Sequence, residues 1–284
     1  MSALSRRPPD GPSYRQPIGV FDSGVGGLTV LRALRSAMPG EDFIYLGDTA
    51  RLPYGTKSDQ TVVRYSLQCA AALVARGIRA LVVACNTVSA SSLDTLRLRY
   101  PALPIIGVIQ PGAEAAIAAS ASKHIAVIGT EGTIHGGAYQ RAIRQLDSTA
   151  RIEAAACSLF VAMAEEGWTQ GPIAESVARR YLEPIFREPS AAPDTLVLGC
   201  THFPVLAGAI RAVLPPQVHV VDSAVTTAAE VRRHLQAQGG IDETPAAEGA
   251  MSWLATDGAA RFARVGSIFL GEKLLPESVE IVDL

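Results

Sequence analysis

Residues 80–85, ALVVAC, are apolar at every position, and seven more short runs of this kind occur along the chain. They are IGVFD (18–22), FIYLGD (43–48), PIIGVI (104–109), HIAVIGT (124–130), IEAAAC (152–157), TLVLGC (195–200) and VHVVDS (218–223). Runs with almost no polar alternation indicate strands covered on both faces, as in a parallel sheet. The segments between them are long enough for crossover helices, so the sequence predicts an α/β fold with mainly parallel sheets.

One crossover helix is predicted from Ser58 onward, because apolar residues recur there at helical spacing. The residues predicted to share its buried face are Val63, Leu67, Ala70 and Val74. Gly77 lies just past the end of this pattern, where a left-handed cap residue is expected.

The two halves of the chain look like copies of one another. The first strand of each half ends in a small polar turn, at residues 22–23 and 129–130, and the third ends in a cysteine followed by polar residues, at 85–87 and 200–202. This predicts two pseudo-symmetric α/β domains facing each other. We place the first at 18–110 plus 225–284 and the second at 111–224. The strand-like runs MSWLAT (251–256) and VEIVDL (279–284) are assigned to the first domain.

The N-terminal residues 1–17 are polar and contain four prolines but no apolar segment. They therefore do not form a secretory signal, and we predict a flexible arm. No run reaches the roughly 18 apolar residues of a membrane helix, so no membrane contact is expected. The net charge of −2 indicates no basic face, which argues against a nucleic-acid partner. We predict a cytoplasmic protein whose cysteines are thiols.

Ligands of parallel α/β folds bind at the carboxyl ends of the strands, and the polar residues of this chain gather there. These residues are Asp22, Ser23, Tyr54, Gly55, Asn86, Thr87, Thr130, Thr133, Thr201 and His202. Amides and hydroxyls beside glycines and helix N-termini suit an anion. This group of strand-end residues, the predicted mouth of the site, would therefore bind carboxylates without using arginine.

Four cysteines are present, and their settings differ. Cys69 lies within a helix and Cys157 ends a strand-like run, which is typical of cysteines that act as small apolar residues. Cys85 and Cys200 each lie between a buried strand and a polar turn, near helix N-terminal amides that favour a thiolate. Their matched placement in two related halves indicates a functional pair.

The surroundings of the paired cysteines leave several chemistries open. His202 follows Cys200, and Asp22 shares the predicted mouth with Cys85, so either group could shift a thiol's protonation. Cys200 with His202 could also act as a hydrolase nucleophile and base, or the mouth could only bind carboxylates. A zinc site lacks the usual C-x-x-C spacing.

Two cofactors lack their sequence signals. Lys57, Lys123 and Lys273 are the only lysines and none follows a predicted strand, which argues against a pyridoxal phosphate Schiff base. The GVGG stretch is not a dinucleotide fingerprint.

Several motifs together resemble the glutamate racemase family. They are VFDSGVGGLTVLRAL (20–34), YLGDTARLPYG (45–55), ACNTVSA (84–90), GTEGT (129–133) and GCTHFPVL (199–206), with VDSA (221–224) and IFLGEKL (268–274) later in the chain. The resemblance implies two α/β domains with the active site between them, and neither cofactor nor metal. It implies interconversion of L- and D-glutamate, which supplies D-glutamate for peptidoglycan.

The resemblance also implies roles for individual residues. Cys85 would act on the D-enantiomer and Cys200 on the L-enantiomer, with Asp22, His202 and Glu165 as helpers. The implied substrate contacts are Asp22, Ser23, Tyr54, Gly55, Asn86, Thr87, Thr201 and His202. An aspartate or hydantoin racemase is the nearest alternative. A homodimer and a cell-wall precursor as activator are both compatible with the resemblance.

Overall fold

The computed structural model describes residues 16–188, 190–238, 240–241 and 247–284. Within these ranges ten strands form two sheets. The strands are β1 (Ile18–Asp22), β2 (Phe43–Gly47), β3 (Ala80–Val83), β4 (Ile105–Gly107), β5 (His124–Gly129), β6 (Arg151–Ala156), β7 (Thr195–Gly199), β8 (His219–Asp222), β9 (Met251–Ala255) and β10 (Val279–Ile281).

The two sheets are parallel throughout their strand pairings. The first has six strands in the order β10-β9-β2-β1-β3-β4, and the second has four in the order β6-β5-β7-β8. The fold is therefore the predicted α/β class with parallel sheets. The late strands β9 and β10 join the first sheet beside β2.

Helices fill the connections between the strands. They are α1 (Leu28–Ala37), α2 (Asp59–Val74), α3 (Asn86–Ser91), α4 (Leu93–Arg99), α5 (Ile109–Ala119), α6 (Glu131–His135), α7 (Ala138–Leu146), α8 (Leu159–Glu165), α9 (Pro172–Phe186), α10 (Ala207–Arg211), α11 (Ser223–Ala237) and α12 (Ala259–Leu270). No helix among the described residues is long and apolar enough to cross a membrane.

Each of the eight predicted strand runs contains a strand, but two of them were wrongly expected to be covered on both faces. These are the edge strands β6 and β8, and β8 is buried only at Val221. β6 is exposed or half-buried at all six positions. It lies at the edge of the second sheet, where β5 is its only neighbour. An edge strand with short alanine side chains buries less apolar surface than the inner strands do.

The predicted crossover helix is α2, and its buried face differs from the prediction. The buried positions are Val62, Ser66, Cys69, Ala70 and Leu73. The stripe is thus centred about one residue earlier than the predicted one. It includes Ser66, whose hydroxyl lies 3.2 Å from that of Ser92, between α3 and α4. Gly77 has a φ of 76°, the left-handed conformation expected after this helix.

Strand register brings the polar strand ends together. Phe21 of β1 pairs with Val83 of β3, so the turns that follow both strands lie side by side. Gly129 of β5 pairs with Gly199 of β7 in the same way. Helix α11 packs against α1 and α5, which joins the two sheets' helical layers. The domain boundaries stay a prediction, and the arm predicted at 1–17 falls almost entirely outside the described residues.

Candidate active site

A cavity of about 300 Å³ lies where the strand ends of the two sheets face each other. Eleven of the thirteen predicted site residues line it: Ser23, Tyr54, Gly55, Cys85, Asn86, Thr87, Thr130, Glu165, Cys200, Thr201 and His202. Asp22 and Thr133 do not. Both are fully buried behind the wall of the cavity.

Cys85 and Cys200 approach this cavity from different sheets. Cys85 follows β3 and immediately precedes α3, and Cys200 follows β7. Each is almost buried, with 6% and 5% of its surface exposed, yet both reach the cavity wall. Strand ends are rigid supports, so the two thiols are held in fixed places around whatever occupies the cavity.

The surroundings of Cys85 keep it protonated. Its Sγ lies 3.5 Å from Oγ of Ser23. Burial, together with the nearby Asp22 charge, raises the pKa of Cys85 to about 12. Oδ2 of Asp22 accepts a hydrogen bond from the Gly24 amide at 2.9 Å, while Oδ1 has no partner within the described part of the chain. Cys85 is therefore a thiol at neutral pH.

Cys200 has a cationic neighbour instead. Its Sγ lies 3.9 Å from Nδ1 of His202, whose Nε2 lies 3.2 Å from Oε1 of Glu165. Burial alone would lower the pKa of His202, but its hydrogen bonds to Cys200 and Glu165 outweigh burial and raise this pKa to about 10. A positive charge therefore lies beside Cys200, whereas the charge near Cys85 is that of Asp22. The two thiols thus have opposite electrostatic environments.

Glu165 is held from a second side by Arg261 of α12. Nη2 of Arg261 donates to Oε2 of Glu165 at 2.7 Å. Burial would raise the pKa of Glu165, but His202 and Arg261 together lower it, so Glu165 is a carboxylate. Sequence reasoning missed Arg261, because its position on a distant helix gives no signal of this contact.

The ring of His202 is enclosed by residues of the first sheet's layer. Phe269 of α12 meets it edge-on at 5.0 Å between ring centres. Gly26, in the turn after β1, lies so close that an added Cβ would be 2.3 Å from Nδ1 of His202. Only a glycine fits here, which gives the GVGG turn a steric role.

Three threonine hydroxyls form a cluster at the cavity. Oγ1 of Thr130 lies 3.1 Å from Oγ1 of Thr87 and 3.0 Å from Oγ1 of Thr133. The Thr133 amide also donates to Thr130 Oγ1 at 3.3 Å, which caps α6. Thr133 therefore supports Thr130 from behind and does not face the cavity itself.

The Tyr54 side chain points away from the cavity into the protein. Its hydroxyl donates to Asp48, which also accepts from Nε of Arg51 at 2.7 Å and from Oγ1 of Thr256 at 2.8 Å. This buried network fixes the loop that carries Pro53 to Thr56 along the cavity wall. Sequence reasoning missed Asp48, although its place directly after β2 was a usable signal.

The remaining cysteines have packing roles. Cys69 and Cys157 are fully buried and do not line the cavity. No cluster of three or more His, Cys, Asp or Glu residues suited to a metal occurs among the residues that the structure describes.

Sequence and structure comparisons both point to racemases. The profile of the Asp/Glu/hydantoin racemase family matches residues 18–231. The glutamate racemase of Geobacter metallireducens is 50% identical over 258 residues, which cover 90% of this chain and 93% of that protein. The glutamate racemase of Francisella tularensis, solved with D-glutamate, has a TM-score of 0.86 at 35% identity and covers 95% of this chain and 98% of its own. That of Escherichia coli, solved with L-glutamate and the activator UDP-MurNAc-ala, has a TM-score of 0.75 at 29% identity, over 94% and 98% of the two chains.

Proposed function

This chain belongs to the Asp/Glu/hydantoin racemase family, whose members are isomerases, and we propose that it interconverts L- and D-glutamate. The observation that carries the proposal is the pair Cys85 and Cys200, which reach one cavity from two different sheets. Its relatives include proteins solved with each enantiomer of glutamate.

Racemisation removes the proton from Cα on one face and returns a proton on the other. Two acid–base groups can do this while the substrate stays in place. In the L-to-D direction, the Cys200 thiolate takes the Cα proton and becomes a thiol. The Cys85 thiol then gives its proton to the opposite face of Cα and becomes a thiolate. The D-to-L direction runs the same steps backwards, from the Cys85 thiolate and the Cys200 thiol. Proton exchange with solvent interconverts the two protonation forms of the pair between turnovers.

The resting protonation states suit this sequence of steps. The raised pKa of Cys85 keeps its proton available, and the His202 imidazolium lies beside Cys200, where the mechanism places a thiolate. We assign Asp22 to assist proton transfer at Cys85. Glu165, through its bond to His202, assists proton transfer at Cys200. A thiolate is a much weaker base than the carbanion, so the site must also stabilise the charge that develops on the α-carboxylate.

Neutral donors provide that stabilisation and hold the substrate. The groups that we assign to the two carboxylates are the hydroxyls of Ser23, Thr87, Thr130 and Thr201, the amide of Asn86 and the loop at Tyr54 and Gly55, all on the cavity wall. No lysine or arginine lines the cavity within the described ranges. Hydrogen-bond donors that are already oriented in an enclosed site stabilise the developing charge better than water does, because they need not reorient.

The product would be D-glutamate for peptidoglycan, in line with the family's role in cell-wall biogenesis. A cytoplasmic location, a homodimer and activation by a cell-wall precursor stay predictions for this chain.

The chain Cys200–His202–Glu165 also has the order of nucleophile, base and orienting carboxylate found in thiol hydrolases. In that reading Cys85 has no role, although it lines the same cavity. A hydrolase would also accumulate an acyl-enzyme that mass spectrometry detects, whereas the racemase forms no covalent intermediate.

The function is tested by following L-glutamate with circular dichroism, with L-aspartate as the competing substrate. The proposal predicts decay of the glutamate signal to zero as the racemate forms, and little change with aspartate. Cys85→Ser and Cys200→Ser should each lose nearly all turnover, while Cys157→Ala should keep it. Preference for aspartate, or full activity in either serine variant, would contradict the proposal.

A further inference from the structure

The amide of Asn86 is held by the protein at one end only. Asn86 is the first residue of α3, directly after Cys85, and it lines the cavity with 3% of its surface exposed. Its Oδ1 accepts a hydrogen bond from the hydroxyl of Tyr139 at 2.8 Å. Its Nδ2 is buried and has no partner within the described part of the chain. A buried donor without a partner is costly unless a ligand fills that role.

Tyr139 belongs to the layer of the other sheet and is fixed in place. It lies on α7 and is fully buried. Two glycines leave room for its ring: an added Cβ would lie 3.2 Å from the ring at Gly112 and 3.0 Å from it at Gly199. Burial raises the pKa of Tyr139 far above its ordinary value, so the phenol keeps its proton and can donate it.

An asparagine amide has two orientations that differ by a flip of its oxygen and nitrogen. With Oδ1 facing Tyr139, the NH₂ group is free for an anion. After a flip, Oδ1 would face the cavity and repel a carboxylate, and the phenol proton would lose Oδ1 as its acceptor. In the orientation that the structure shows, the phenol donates its proton to Oδ1, which leaves the NH₂ group for an anionic ligand.

The geometry points to Tyr139 as a positioning residue that holds Nδ2 of Asn86 towards a carboxylate of the substrate. This inference rests on the proposed function, because it names glutamate as the ligand. This hydrogen bond also joins the layers of the two sheets, so it holds the amide in place only when the two layers are in contact.

Tyr139→Phe tests this role because it removes the hydroxyl and keeps the ring. We expect KM for glutamate to rise about tenfold, the effect of misdirecting one hydrogen bond to a charged group, with a smaller change in kcat. An unchanged thermal unfolding midpoint would show that the rise in KM does not come from a loss of stability. Tyr181→Phe is the matched control, because it deletes a hydroxyl that accepts from the Leu159 amide at 3.3 Å and does not contact Asn86. Its KM should be unchanged.

A double-mutant cycle separates positioning from packing. Glutamate affinity is measured by NMR titration in the Cys85→Ser, Cys200→Ser background, where no turnover disturbs the equilibrium. Asn86→Ala should weaken binding at least as much as Tyr139→Phe, and the two together should equal Asn86→Ala alone. Additive losses, or an unchanged KM in an active Tyr139→Phe enzyme, would overturn this inference but not the proposed function. A wild-type chain that neither binds nor racemises glutamate would overturn the proposed function as well.

Discussion

Nε2 of His202 lies 3.2 Å from Oε1 of Glu165, the last residue of α8, which is 37 positions earlier in the chain. The bond keeps an imidazolium beside Cys200, whereas burial and the Asp22 charge raise the pKa of Cys85. The two halves of the fold are thus similar in architecture but different in charge at the site.

Glu165→Gln should strongly reduce turnover, because it removes the anion that stabilises the imidazolium. We expect kcat/KM to fall roughly 10²-fold, at the lower end of what acid–base groups contribute. The loss must be equal in both directions, since the equilibrium constant between enantiomers is one. Initial rates from pure L- and pure D-glutamate provide the measurement. A variant with wild-type kcat/KM would remove Glu165 from the mechanism.

The protonation of His202 can be followed directly. Its pKa of about 10 predicts that the ring stays charged from neutral pH to about pH 9. Because the folded pKa is raised, the resulting stability is complete below the ordinary histidine pKa of about 6.5. It is lost as the pH rises from there through about 10. Denaturant unfolding across this window should show a decline that His202→Gln flattens. An NMR titration of the ring near pH 6.5 would contradict this assignment.

Arg261 should matter much less than Glu165. About half of its side chain is exposed, at 52%, and exposed ion pairs contribute about 0.2–1 kcal/mol. Arg261→Gln should therefore reduce kcat/KM less than tenfold and should do so more at low salt, where screening is weak. Arg264→Gln, one turn away on α12, is the control and should leave kinetics unchanged at every salt concentration. A salt-independent loss in Arg261→Gln would argue against an electrostatic role.

Gly26→Ala should disturb the site more than the fold. The added Cβ would lie 2.3 Å from Nδ1 of His202 and 2.6 Å from Oγ1 of Thr201. Overpacking of this kind costs about 1–3 kcal/mol of stability, and kcat should fall on the order of 10²-fold, because a catalytic group moved by about 1 Å loses its geometry. Gly208→Ala meets no atom within 4 Å and should keep full turnover. An active Gly26→Ala enzyme would show that the His202 ring can move freely.

The strands and the paired thiols could be predicted from sequence because both are local signals. An apolar run followed by a polar turn marks a strand end, and it located Cys85 and Cys200 without any knowledge of packing. The orientation of Tyr54 could not be predicted, since it depends on Asp48 at the end of β2 and on Thr256 much later in the chain.

Contacts between the layers of the two sheets could not be predicted from the sequence either. The bonds from Arg261 to Glu165 and from Tyr139 to Asn86 arise only when the layers are packed together. The buried face of α2 was misplaced for a related reason. The prediction followed the large apolar residues, whereas the buried face also includes the smaller Ser66 and Cys69.

The two-base exchange is tested most directly by racemising L-glutamate in D₂O and measuring Cα deuterium early in the reaction. The thiol of Cys85 exchanges with solvent before it donates, so D-glutamate should be almost fully deuterated while the remaining L-glutamate keeps its Cα proton. A single base would return the proton that it removed. D-glutamate that retains a large share of the original proton would contradict the account.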